Sequence, residues 1–146
     1  MQSLLLEKLV TEVNHHRNKS FLKAVMAVCA LATLADGEIK LSERYRIFHA
    51  FAREPALREL DINKAVDILD DYIFALRQEG DGAKEVLYKK ISRMAGQHKR
   101  ARTLMRVAYL IMIADDHVHD AEKQEFRQLC ALLNLEPGQV WDELSG

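Results

Sequence analysis

Apolar residues recur along the chain at helical spacing, and no stretch alternates apolar and polar positions for the length of a strand. That pattern predicts an all-α fold. Residues 4–13 form a short amphipathic opener through Leu5, Leu6, Leu9, Val10 and Val13, and the polar run 14–19 reads as a joint before Ser20 caps a new helix. Residues 21–35 carry one charge, Lys23, and are apolar on nearly every face, so this helix must be covered on all sides. Asp36-Gly37 stops it, and Ser42 caps a helix over 43–53 that turns Ile47, Phe48, Ala50 and Phe51 inward and ends at Glu54-Pro55.

Asp61 caps a long helix over 62–79, which Gly80-Asp81-Gly82 breaks. Further helices are predicted over 83–95 and 98–114, with Gly96 at the joint between them. The second of these is basic in its first half and apolar in its second. After a loop at 115–119, Asp120 caps a helix to 133, and Glu136-Pro137 opens a last short helix that docks Val140, Trp141 and Leu144. The 146 residues suffice for one domain of seven to eight helices spanning 1–146.

The strongest internal signal is a repeat. Residues 34–44 align without a gap on residues 113–123, an offset of 79 positions. Each copy is the end of a buried helix, an acidic loop with one apolar plug (Ile39 or Val118), and a following helix with a carboxylate in its first turn. Packing of the halves about a pseudo-twofold axis would bring both loops to one end and let Asp36, Glu43, Asp115 and Glu122 converge. Asp-Gly-Glu-Ile-Lys-Leu-Ser-Glu also matches the back half of an EF-hand loop. The front half fails, because its first two ligand positions would be Ala32 and Leu34, or Ile111 and Ile113. The spacing therefore argues against an ordinary single-loop calcium site, while a divalent site shared between loops stays open. So does a purely architectural role, since acids in a first helical turn complement the macrodipole by about 0.3–1 kcal/mol each.

The run Asn18-Lys19-Ser20-Phe21, the stretches Ala27-Val28-Cys29-Ala30 and Ala35-Asp36-Gly37 with Glu43, and the second set Ala114-Asp115-Asp116 with Glu122-Lys123 resemble the TerB family of tellurite-resistance proteins over about 18–137. The resemblance implies a compact all-α domain and an acidic metal-binding surface. It also implies a role in bacterial stress or tellurite resistance through protein partners, often at the inner membrane surface, with no enzymatic activity. Its acidic motif falls on Asp36, Glu43, Asp115 and Glu122. The chain departs from the family at Asp116, where glycine is usual, and at His117 and His119, whose imidazoles would favour a transition metal over calcium or magnesium.

Composition sharpens this picture in three ways. The 21 Lys and Arg nearly balance 22 Asp and Glu, but residues 84–106 hold eight basic residues against Glu85, a local +7 that leaves −8 for the rest. Lys84, Lys89, Lys90, Arg93, Lys99, Arg100, Arg102 and Arg106 thus form a candidate basic patch, and the alternative to a metal-dependent domain is an electrostatic interaction module with separate acidic and basic surfaces. Only Tyr88 interleaves as an aromatic and no nucleic-acid motif is present, which argues against nucleic acid as the partner. No run of 18 apolar residues and no basic leader are present, so the expectation is a cytoplasmic chain with no transmembrane segment, able to sit at the membrane periphery. The two cysteines, Cys29 and Cys130, lie in apolar stretches and read as buried core residues. No phosphate loop or activated-nucleophile signature supports catalysis.

Overall fold

The longest element begins where the sequence pattern suggests two. In the computed structural model, which describes residues 2–35, 47, 49, 52, 54–58, 60–113 and 118–146 (of 2, 3 and 12–16 the backbone alone), α1 runs unbroken from Gln2 to Leu34. The expected joint at 14–19 is helical throughout. The reason is that its residues are polar without being helix breakers: none is glycine or proline, and each costs less than about 0.7 kcal/mol relative to alanine. At Arg17 and Lys19 polarity marks exposure and not an interruption. Arg100 fastens this stretch from outside, donating to the Arg17 carbonyl at 3.1 Å and to Asn18 Oδ1 at 3.2 Å, with its guanidinium 4.8 Å from the centre of the Phe21 ring. N-terminal to that clasp Leu4, Leu5, Leu6, Leu9 and Val10 are exposed, whereas from Phe21 to Thr33 only Lys23 is not buried.

The buried half of α1 is the axis of the molecule. Around it pack α2 (Ile62–Glu79), α3 (Asp81–Ser92), α4 (His98–Met112) and α5 (Asp120–Leu132), while α6 (Pro137–Ser145) closes over α4 and α5. A 3₁₀ turn at Pro55–Leu57 buries Leu57, and Ile47, the inward residue expected of the 43–53 helix, is helical and buried. No strand occurs among the described residues, so the all-α expectation holds. Phe48, Ala50 and Phe51 lie outside the described residues, as do both acidic stretches 36–46 and 114–117.

Local chemistry explains most boundaries. Asp61 Oδ1 accepts the amides of Asn63 at 3.0 Å and Lys64 at 3.3 Å, the cap expected at the start of α2. Gly80 alone makes the break that three residues were expected to make. At φ +54° its amide donates to Leu76 O at 3.1 Å and its carbonyl accepts from Lys84 at 3.0 Å. It ends α2 and starts α3 at once, which leaves Asp81 and Gly82 inside the helix. Helix α3 gives way to turns after Ser92, three residues earlier than expected, and Gly96 at φ +87° completes the reversal into α4. At α5 the N-cap is His119 and not Asp120, because the His119 amide donates to Glu122 Oε1 at 3.1 Å.

Trp141 anchors α6. Its ring meets Tyr109 edge-on at 5.0 Å and Phe126 edge-on at 4.9 Å, tying α4, α5 and α6 together.

Candidate functional site

Of the residues proposed for a cation, Glu122 and His119 are described; Asp36, Glu43, Asp115, Asp116 and His117 lie outside the described residues. Glu122 sits in the first turn of α5, 6% exposed, with Oε1 held by the His119 amide. That contact performs the architectural task and also fixes the carboxylate at the edge of the second acidic loop. Two carboxylate oxygens offer about four lone-pair sites, so capping by one of them is compatible with ligation. No cluster of three or more His, Cys, Asp or Glu occurs among the described residues.

One turn further along α5 stands a group that the repeat does not predict. Glu125 is 5% exposed. Its Oε2 accepts the Tyr88 hydroxyl at 2.7 Å, while Oε1 is buried with no hydrogen-bond partner among the described residues and has Lys84 Nζ at 3.9 Å. Burial pushes the Glu125 carboxyl up from its usual range, against the opposing pull of the Tyr88 hydrogen bond and the Lys84 charge. Burial and the same contact raise the Tyr88 hydroxyl. The signal was present in the sequence, since Glu122 and Glu125 fall on the same helical stripe as Phe126, Leu129 and Cys130. A charge on an apolar stripe marks a buried carboxylate.

A raised carboxyl pKa means that the folded chain holds more protons than the unfolded chain between the unfolded value, about 4.3, and the folded one. Stability therefore falls as pH rises through that window, by up to about 1.4 kcal/mol per pH unit for one group. Glu125→Gln removes the linkage. Urea denaturation at pH 4 and pH 7.5 is expected to show the variant gaining on wild type at the higher pH, and a difference independent of pH would contradict the assignment.

The basic patch is divided by its contacts. Arg102 pairs with Glu143 of α6 and donates to His98 Nε2 at 2.9 Å, Arg106 reaches Glu54 at 2.6 Å, Lys84 faces Glu125, and Arg100 clasps α1. The three arginines fasten elements together, while Lys84 only approaches Glu125 at 3.9 Å. Lys89, Arg93 and Lys99 are exposed and Lys90 is half-buried, with no ion pair among the described residues. The Lys90 ammonium is lowered by burial first and then by the positive charges of Lys23 and Arg93. A concentrated positive corner thus remains on α1 and α3.

Both cysteines are free and buried, and burial pushes each thiol up to about 12. Neither is a nucleophile at neutral pH. No helix among the described residues is long and apolar enough to cross a membrane.

The family model described as Tellurite resistance protein TerB matches residues 22–142. The chain belongs to the TerB family. The matched region contains both acidic repeats, the Glu125 cluster and the positive corner, so the TerB domain accounts for every candidate site described above. The exposed leucines of α1 precede it. No curated protein and no solved structure matches the chain.

Proposed function

We propose that this TerB domain is non-catalytic, binds a divalent cation at its doubled acidic loop through Asp36, Glu43, Asp115 and Glu122, and acts through protein partners in tellurite resistance or a related stress response. The observation that carries the reading is the placement of Glu122. Its carboxylate is buried in the first turn of α5 and held by a backbone amide, a preorganised acid at the edge of an acidic loop. Hard cations need six to eight oxygens, more than one of these loops supplies, so the repeat is what makes a shared site chemically reasonable. A bound cation would neutralise the clustered acids and pin the two loops together, giving partners an ordered surface. Asp116, His117 and His119 would adjust the preference between calcium or magnesium and a transition metal. The domain would work in the cytoplasm, reaching the inner membrane surface through its partners.

Titration calorimetry with calcium, magnesium, manganese and zinc tests the proposal. Wild type is expected to give saturable heat with at least one ion, and Asp36→Asn combined with Asp115→Asn is expected to abolish it. Absence of saturable heat with all four ions in wild type overturns the reading.

The positive corner around Lys23, Lys90 and Arg93 favours a second reading, docking of an acidic protein surface without any ion. Partner binding that weakens with salt but is indifferent to a chelator would select it.

A further inference from the structure

Glu125 lines the wall of a cavity of about 600 Å³ between the C-terminal ends of α1 and α2 and the N-terminal parts of α3 and α5, its Oε1 buried just behind that wall. That volume is in the range of small-molecule sites. We propose that this cavity binds a small zwitterion of the α-amino-acid class with an aliphatic side chain, its ammonium on Glu125 and its carboxylate on Lys84.

Three observations converge on that chemistry. Glu125 Oε1 is a buried acceptor without a hydrogen bond among the described residues, and a buried carboxylate so placed is strongly stabilised by a charged donor. The cation already nearby is a poor substitute. Lys84 Nζ stands 3.9 Å from Oε1, outside hydrogen-bond range, with its side chain 44% exposed and its ammonium 5.8 Å from the centre of the Tyr88 ring. A simple amine entering beside Lys84 would meet like charge. A zwitterion avoids that penalty, because its own carboxylate turns to Lys84 while its ammonium turns to Glu125. The spacing also agrees, since opposite charges lie side by side both in the cavity and on an α-amino acid. Arg77 and Asp81 line the same cavity, adding one base and one acid to its described lining. The remaining requirement is an apolar body. Leu31, Leu34 and Leu76 supply the wall for it.

The test uses the intact chain with a chelator present throughout, so that its outcome does not depend on the cation reading. Amide chemical shifts are followed while L-leucine, 3-methylbutylamine and 4-methylpentanoate are titrated separately. L-Leucine is expected to shift resonances around Leu34, Tyr88 and Gln124 saturably, and each single-charge analogue is expected to bind at least about tenfold more weakly. Glu125→Gln is expected to weaken L-leucine by a similar factor. Ala121→Phe, at an exposed position on the cavity wall, is expected to block binding without altering the acid, and decides the matter if the Glu125 variant fails to fold. The proposal is overturned if L-leucine gives no saturable shift, if the amine alone binds as tightly, or if a folded Ala121→Phe or Glu125→Gln protein binds L-leucine as well as wild type.

Discussion

Leu104→Ala is expected to remove about 2–5 kcal/mol of stability, a large part of the roughly 5–15 kcal/mol that holds a domain together. Leu104 is fully buried in α4, beside the equally buried Met105 and Ala108. Helix α4 packs directly on α1, whose buried stretch includes the small residues Ala24, Ala27, Cys29 and Ala30, all 0% exposed. Small side chains on one helix let the backbones approach, but leave the volume of the core to the larger residues opposite. Deleting the Leu104 side chain therefore leaves a hole that short neighbours cannot fill by changing rotamer. The urea midpoint should drop with the slope unchanged. The matching control, Leu5→Ala, lies at a position 66% exposed and should stay within about 0.5 kcal/mol of wild type. Equal effects from the two substitutions would show that α1 and α4 are not the centre of the core.

The second large effect concerns the continuity of α1. Lys19→Pro removes one backbone donor and sets the proline ring against the carbonyl four residues earlier, a cost of about 3 kcal/mol within a helix. In a joint between two helices the same substitution would be nearly silent. The cost is expected to be met by the segment least able to resist. Residues 4–11 carry exposed leucines and few tertiary contacts, whereas the Arg100 clasp and the core hold everything from Phe21 onward. Far-UV circular dichroism should therefore lose helix N-terminal to position 19, while the main urea transition survives. Unchanged ellipticity would restore the two-helix reading.

That correction shows what sequence patterning conveys here and what it does not. Periodicity found α2 to α6 and the buried half of α1, because the apolar stripe of each one faces the common core. Glycine and proline were reliable punctuation where they were used sparingly: Gly80 at φ +54° is the whole of one break, and Pro137 opens α6 as expected. The polar run at 14–19 misled because polarity reports solvent and says little about backbone geometry. The cap of α5 moved by one residue for a related reason. Asp120 has the side chain of a good cap, but the Glu122 carboxylate reaches back to the His119 amide and sets the boundary there.

The candidate site was legible in a different measure. The repeat pointed to Glu122, which lies buried in the first turn of α5 with its carboxylate on the His119 amide. Glu125, three positions on, lies outside the acidic repeat and is marked only by its place on an apolar stripe, where a carboxylate is the rarer event. The basic run was equally deceptive in the opposite direction. Counting its charges gave a single surface, whereas Arg102, Arg106, Lys84 and Arg100 each turn to a partner from another element. Linear charge density counts side chains without knowing which of them are already answered across the fold.

Trp141 has a consequence of its own. It is the single tryptophan of the chain, and it sits where α4, α5 and α6 meet, edge-on to both Tyr109 and Phe126. The protein thus carries its one tryptophan fluorophore at the seam that closes last along the chain. Its emission registers whether the C-terminal helix is seated, on the same α5 whose first turn holds Glu122. Any event that tugs on that turn can be watched one turn along the helix, at Phe126, without a label.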